Sequence, residues 1–283
     1  MKHLTYLFFL GFAISCRQAN RHETVSGGYG IGEKDSESRN GEWTFYRDDT
    51  SKASAGNFVM DQEEGKWNFW YADGTIQEES EWSGGELDGP YKTYHENGQL
   101  KAEGFFLSDQ YEGKWHWYDL DGRMESIGFY SANMRTGKWE WYYPDGALKE
   151  SVEYKDSVFS GSISSWYDNG KQNSSGQYMN GEREGEWKFW YYNGELRDVS
   201  IWGKGQLNGR STAYHRNGEV DYEGGYLNGK EAGLFTWYYP DGIKRMEGIF
   251  EAGKKSGIYS YYNDLGELQV TNEYVDNVEV IAD

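Results

Sequence analysis

The chain has 283 residues and a formal net charge of −19; 37% of its residues are hydrophobic and 18% aromatic. That acidity, with no basic patch, excludes a phosphate-backbone binder and gives nothing for docking on anionic lipid by charge. The aliphatic share is too low for a core of packed Leu, Ile and Val, and no stretch after residue 40 places apolar residues at helical spacing.

Lys2 and His3 precede an apolar run from Leu4 to Ile14, and Ala13-Ile14-Ser15-Cys16 follows. A short basic start, an apolar stretch too short to span a bilayer and small residues before a cleavage point mark a secretory signal. Cys16 is the sole cysteine, so no disulfide or thiolate metal site can form within one chain. Residues 1–15 resemble a bacterial lipoprotein signal peptide. The resemblance implies that Cys16 is lipidated and anchors the protein in the cell envelope. Arg17 in place of Asp favours the outer membrane or cell surface. Residues 16–40, Gly/Ser-rich with mixed charge, read as a flexible tether.

From Gly41 a glycine recurs every 24 residues, at Gly65, Gly89, Gly113, Gly137, Gly161, Gly185, Gly209, Gly233 and Gly257. Ten units therefore fill residues 41–283 without an insertion. Positions are counted here from each glycine as zero. Position +5 is always aromatic: Tyr46, Trp70, Tyr94, Tyr118, Tyr142, Trp166, Trp190, Tyr214, Tyr238, Tyr262. So is +17, from Phe58 to Tyr274, and +2 is aromatic except at Ile163 and Ser211.

Positions +8 and +9 read Asp-Gly or Asn-Gly in units two to nine, which predicts a two-residue type I′ hairpin turn. A second turn falls near +19 and +20, as at Gly84-Gly85 and Asn180-Gly181. The expected fold is all-β: an elongated, single-sheet antiparallel hairpin array of about twenty strands, curled or solenoid-like. Val278, Val280 and Ile281 are expected to form a capping strand.

A turn at +8/+9 pairs positions that sum to 17. The glycine at zero then faces the ring at +17, which is expected to lie over it. The +2 ring faces a small residue at +15, as in Trp43/Gly56, Trp115/Gly128 and Trp187/Ser200; Trp139 opposite Val152 departs from this. The same register sets Lys101, Lys149, Arg197 and Arg245, at +12, opposite +5 rings, where a cation over a ring is expected.

The chemistry-bearing residues read as structural. His95 and His215 share position +6 five units apart and His116 stands alone, so no metal shell is expected. Asp119-Leu120-Asp121-Gly122 resembles a fragment of a calcium loop but lies at a turn and lacks the later ligands. The glutamates at +1 and +14 recur with the repeat and form a solvated face. No catalytic constellation and no cofactor site are expected.

Gly185-Glu-Trp187-Lys-Phe-Trp190-Tyr-Tyr-Asn-Gly194-Glu-Leu196, followed by Gly209, and Tyr226-Leu-Asn-Gly229-Lys-Glu-Ala-Gly233, resemble the MORN-repeat family in its bacterial variant form, over about residues 41–280. The resemblance implies β-hairpin repeats that associate with protein or lipid. It transfers no catalytic residue. Some bacterial members carry an antitoxin label, which a secretion signal does not favour here.

The reading is a non-enzymatic, lipid-anchored scaffold at the envelope that binds an unidentified protein. A glycan- or wall-binding module and an antitoxin or immunity protein are the alternatives. The candidate binding row is Trp70, Tyr94, Tyr118, Tyr142, Trp166, Trp190, Tyr214 and Tyr238. Those rings either form an exposed ladder for a partner or stack to hold successive hairpins together.

Overall fold

The structure is a computed structural model that describes residues 28–35 and 38–280. Cys16 and the signal segment lie outside the described residues, as does Ile281. Among the described residues, twenty-two strands run from β1 (Tyr29–Asp35) and β2 (Ser38–Tyr46) to β21 (Leu268–Val275) and β22 (Val278–Val280). Each pairs antiparallel with its chain neighbours, giving one open sheet. Among the described residues, substantial packing is confined to consecutive strands and no second layer covers either face.

The segment from Tyr29 to Asp35, expected to be part of a tether, is a strand. Its role is plain from the repeat: Gly32 lies one period before Gly56 and supplies the glycine that Trp43 covers. The array therefore begins with a half unit before Gly41.

The type I′ turn expected at +8/+9 lies instead at the second turn. At +19/+20 both residues have positive φ in every unit, from Met60 (47°) and Asp61 (66°) to Asp276 (52°) and Asn277 (72°). This is the type I′ hairpin. At +8/+9 only the second residue has positive φ. Gly74 N–H donates to the Tyr71 carbonyl at 3.1 Å, and Tyr71 N–H to the Thr75 carbonyl at 2.8 Å. That is a three-residue loop, a type I turn closed by a left-handed glycine. The +8 side chain explains the choice: Asp73 Oδ1 accepts the Thr75 N–H at 2.9 Å, a local bond that holds the residue in its ordinary φ region.

The longer loop changes the register. Gly65, Trp67 and Phe69 pair with Trp82, Ser80 and Glu78, as positions summing to 17 require. Trp70 then pairs with Ile76, at +11, so +12 is a bulge. The cations at +12 consequently do not sit opposite +5 rings. Lys149 lies over Tyr143 and Arg197 over Phe189. The +11 lysines reach the +5 rings of the following unit: Lys52 over Trp70 at 4.1 Å and Lys244 over Tyr262 at 5.5 Å.

A second bulge joins each unit to the next and accounts for the periodic glycine. Between β3 (Lys52–Val59) and β4 (Gln62–Trp70) the pairs jump from Asn57/Glu64 to Ala55/Asn68. Gly65, Lys66 and Trp67 thus stand against Gly56 alone. The zero glycine has positive φ in all ten units, which an L side chain resists. The space on its Cβ side is empty at Gly41, Gly65, Gly113, Gly185, Gly233 and Gly257. The +17 residue is its backbone partner, but no ring lies over it. At these six the glycine is kept by conformation and not by a covering side chain, whereas at Gly89, Gly161 and Gly209 the side chains of Glu81, Glu153 and Ile201 also fill the Cβ position.

The extra residues let the +2 ring fold back onto the +15 glycine of the preceding unit. Trp67 covers Gly56, Trp115 covers Gly104, Trp139 covers Gly128 and Trp187 covers Gly176. The indole N–H donates to the carbonyl beside that glycine: Trp67 to Asn57 at 3.2 Å, Trp139 to Phe129 at 3.0 Å, Trp187 to Gln177 at 3.1 Å. The expected backbone pairs Trp43/Gly56 and Trp115/Gly128 do form, but each ring belongs to the joint on its other side. Trp139 opposite Val152 is no anomaly once Trp139 is matched with Gly128.

Three joints are built differently. Ser80 pairs with Tyr91, Val152 with Ile163 and Ser200 with Ser211. Where serine replaces the glycine, the +17 residue is tryptophan and donates to it: Trp82 to Ser80 Oγ and Trp202 to Ser200 Oγ, both at 2.9 Å.

The core thus lies on one face of a single sheet. Trp115, Trp139 and Trp187 are 1%, 2% and 1% exposed without a covering layer. Flanking rings enclose them: Trp139 stacks with Trp117 at 5.2 Å and Trp141 at 5.8 Å, and meets Tyr130 edge-on at 5.1 Å. Such pairs contribute about 0.5–1.5 kcal/mol each beyond area burial. Arg135 and Arg183 close the rows from above, 4.5 Å over Trp139 and 4.3 Å over Trp187.

Candidate binding surface

The +5 row lies on the opposite face. Trp70, Tyr94, Tyr118, Tyr142, Trp166, Trp190, Tyr214 and Tyr238 are all half-buried. Among the described residues no two of these eight rings stack on one another. Four of its five tyrosines are instead fixed at their hydroxyls. Tyr118 donates to Glu103 at 3.1 Å and Tyr238 to Glu223 at 3.0 Å, each a +14 glutamate of the preceding unit, and Tyr94 donates to Glu79 likewise. Tyr142 uses Glu140 at 3.0 Å. The +14 glutamates are therefore paired row members and not merely a solvated face.

Desolvation, with the carboxylate bond adding to it, pushes the Tyr94 and Tyr142 hydroxyls up to about 12. Both remain neutral donors across the physiological range.

The row's backbone is tied by a ladder that sequence reading missed. The +6 side chain of one unit donates to the +5 carbonyl of the next: Tyr71 to Tyr94 at 2.8 Å, Tyr143 to Trp166 at 2.9 Å, Tyr167 to Trp190 at 2.7 Å, Tyr191 to Tyr214 at 2.8 Å, Tyr239 to Tyr262 at 3.0 Å. Arg47 donates to Trp70 in the same way. His95 and His215 take the tyrosine's place, with Nε2 at 2.9 Å from the Tyr118 carbonyl and 3.1 Å from that of Tyr238. Facing a carbonyl, Nε2 carries the proton. An Arg, Tyr or His at +6 in eight units was the available signal.

Unit four breaks the ladder. Asp119 has no proton to give, and its Oδ1 accepts the N–H groups of Asp121 and Arg123, both at 2.9 Å. The calcium-loop-like run is thus occupied by turn bonds. His116 lies 3.8 Å from Glu103 and is pushed down, chiefly by burial and secondarily by Lys114. Among the described residues no three His, Cys, Asp or Glu side chains converge to hold a metal.

On the ring face, unit eight carries Ser211 and Ala213 where most units carry rings. A recess of about 350 Å³ results, bordered by Trp202, Tyr222, Arg197, Asp198 and Asp221.

Comparison with known proteins follows this geometry. The family model described as MORN repeat variant matches residues 63–83, 87–107, 135–156 and 183–198. No curated protein matches the sequence. Among solved structures, the crystal structure of TcdB2-TccC3 is 12% identical, aligning 89% of this chain with 18% of that one at a TM-score of 0.16. The crystal structure of TcdB2-TccC3-Cdc42 is 13% identical over 87% of this chain and 17% of that one, also at 0.16. The chain spans under a fifth of the length of either, and likeness at that score supports no conclusion. Each family match begins two residues before a zero glycine, so the MORN repeat variant model matches four of the ten units in register with the 24-residue period.

Proposed function

We propose that the chain is a non-enzymatic scaffold, anchored in the bacterial cell envelope through a lipid on Cys16, that binds a protein partner along its repeat array. The observation that carries this reading is the +5 row. Its rings are half-exposed and recur once per unit, about 10 Å apart for two strands. Tyr94, Tyr118, Tyr142 and Tyr238 are held at their hydroxyls, and the +6 ladder ties the backbone of the row. Rings so held lose little entropy on binding, and aromatic side chains dominate interface hot spots.

The test replaces Trp70, Trp166 and Trp190 with alanine together and captures envelope proteins from cells. The expected result is loss of a partner with the melting temperature largely kept. Loss of folding with partner capture unchanged in the folded fraction would reject the row as the binding surface.

A second reading, a glycan-binding module, is favoured by the recess beside Trp202 and Tyr222, where Arg197, Asp198 and Asp221 offer donors and acceptors next to rings. Titration with cell-wall fragments should quench tryptophan fluorescence in the parent and not in Trp202→Ala. An unchanged spectrum in the parent removes this reading.

A further inference from the structure

At most joints a residue at +13 faces an aromatic +4 residue of the next unit, as Ala102 faces Trp117, Ser126 faces Trp141 and Ser174 faces Phe189. The three differently built joints break this rule together. There +4 is Thr93, Ser165 or Ala213, and its partner is an acid: Glu78, Glu150 or Asp198. Acids occur at +13 nowhere else in the ten units. Paired residues project to the same side of a sheet, so these carboxylates lie on the ring face, each also paired with a ring of its own unit: Phe69, Trp141 and Phe189.

Two of the three are partnered. Tyr91 donates to Glu78 at 2.9 Å, and Arg197 pairs with Asp198 at 2.9 Å. Glu150 is not: among the described residues no hydrogen bond or ion pair reaches its carboxylate. It lies on β11 (Leu148–Lys155), between Trp141 of β10 (Met134–Tyr142) and Ser165 of β12 (Val158–Trp166). Ser165 is engaged with Ser174, Oγ to Oγ at 2.7 Å. The adjacent Lys149 turns its ammonium toward the Tyr143 ring. Burial pushes Glu150 above the ordinary carboxylate range, with only Lys149 acting against it. A half-buried carboxylate without a counter-charge costs stability, and a ligand cation beside it would relieve that cost.

We infer that Glu150 and Trp141 form the anchor for a lysine or arginine side chain of an extended basic segment lying along the ring face. This deepens the protein-binding reading and rests on it, while using the face opposite the +5 row. A cation there gains a charge partner and the face of an indole together. Glu78 and Asp198 flank the anchor at three and two units, about 29 and 19 Å along the sheet for six and four strands. They offer weaker contacts to the same segment. The chain's net charge of −19 favours the approach of such a partner.

The probe is an acetylated nona-lysine peptide, titrated into the full chain at low ionic strength with tryptophan fluorescence as readout. Glu150→Gln, nearly isosteric, should weaken binding on the order of tenfold. Glu42→Gln, an exposed acid on the other face with the same charge change, should weaken it less than twofold. Carbon-13 carboxylate signals should show Glu150 titrating above the other glutamates, with its pKa falling when peptide is added. Equal losses in the two variants, or a Glu150 titration that peptide does not move, would overturn the inference. Spermine binding as tightly as the peptide, with the same dependence on Glu150, would also overturn it in favour of a small polyamine. Peptide binding that depends on Glu150, alongside envelope capture that returns no protein, would keep the cation site and reject the scaffold reading.

Discussion

Trp115 lies over Gly104, the +15 glycine of the preceding unit, and donates its indole N–H to the Phe105 carbonyl at 3.2 Å. A methyl group on Gly104 would fall well under 3.0 Å from the indole ring, closer than Cβ atoms come to other atoms. Gly104→Ala should therefore destabilise by about 2–3 kcal/mol through overpacking at a buried joint. Urea denaturation of the variant beside the parent measures the loss. Equal stability of Gly104→Ala and the parent would contradict the staple.

Gly113 provides the contrasting case. Nothing lies within 4 Å of its Cβ direction, yet its φ is +68°. Gly113→Ala should cost about 1–2 kcal/mol from the left-handed backbone alone. In unit one, Thr50 holds the +9 position at φ 68°, a poor place for a β-branched residue. Thr50→Gly should stabilise by about 0.5–1 kcal/mol, read from the exchange protection of the surrounding amides.

The +6 ladder makes a two-sided prediction. Tyr167→Phe removes the bond to the Trp190 carbonyl and should cost about 0.5–1.5 kcal/mol. Asp119→Tyr supplies the missing rung to the Tyr142 carbonyl and should stabilise by a similar amount, less what the lost turn bonds return. Thermal unfolding of both variants gives opposite signs if the ladder contributes.

Two classes of group set the pH response. Tyr94, Tyr142 and Tyr259 are pushed up to about 12, chiefly by desolvation. Unfolded tyrosines ionise near 10, so between about 10 and 12 the folded chain holds more protons. Stability should be full below pH 10 and fall across that window. Glu150 is also raised, so its ionisation opposes folding as pH rises through the carboxylate range. Glu150→Gln should stabilise at pH 7, and the gain should vanish in acid, where the parent side chain is already neutral. Denaturation midpoints at pH 4 and pH 7 test the sign.

The repeat, the all-β single sheet and the +2/+15 backbone pairing were legible because period and hairpin chemistry are local. The joint was not. Both Gly56 and Gly128 have a Trp partner within their own unit, and only the bulge at the zero glycine shows that Trp67 and Trp139 cover them instead. Turn type misled for a related reason. Asp73-Gly74 has the composition of a type I′ turn, but the Asp73 bond to the Thr75 N–H holds the first residue out of the positive-φ region. For the binding row, ring identity was visible and its fixation was not: the Tyr238–Glu223 bond and the Tyr167 rung each link residues of successive units.

The most direct test of the scaffold places a photo-crosslinking phenylalanine analogue at Tyr118 and, separately, at the turn residue Leu120, in cells growing under several conditions. The account predicts a discrete protein adduct from position 118 and none from position 120. Intact, folded protein that yields no protein adduct from position 118, or the same adducts from both positions, would contradict it.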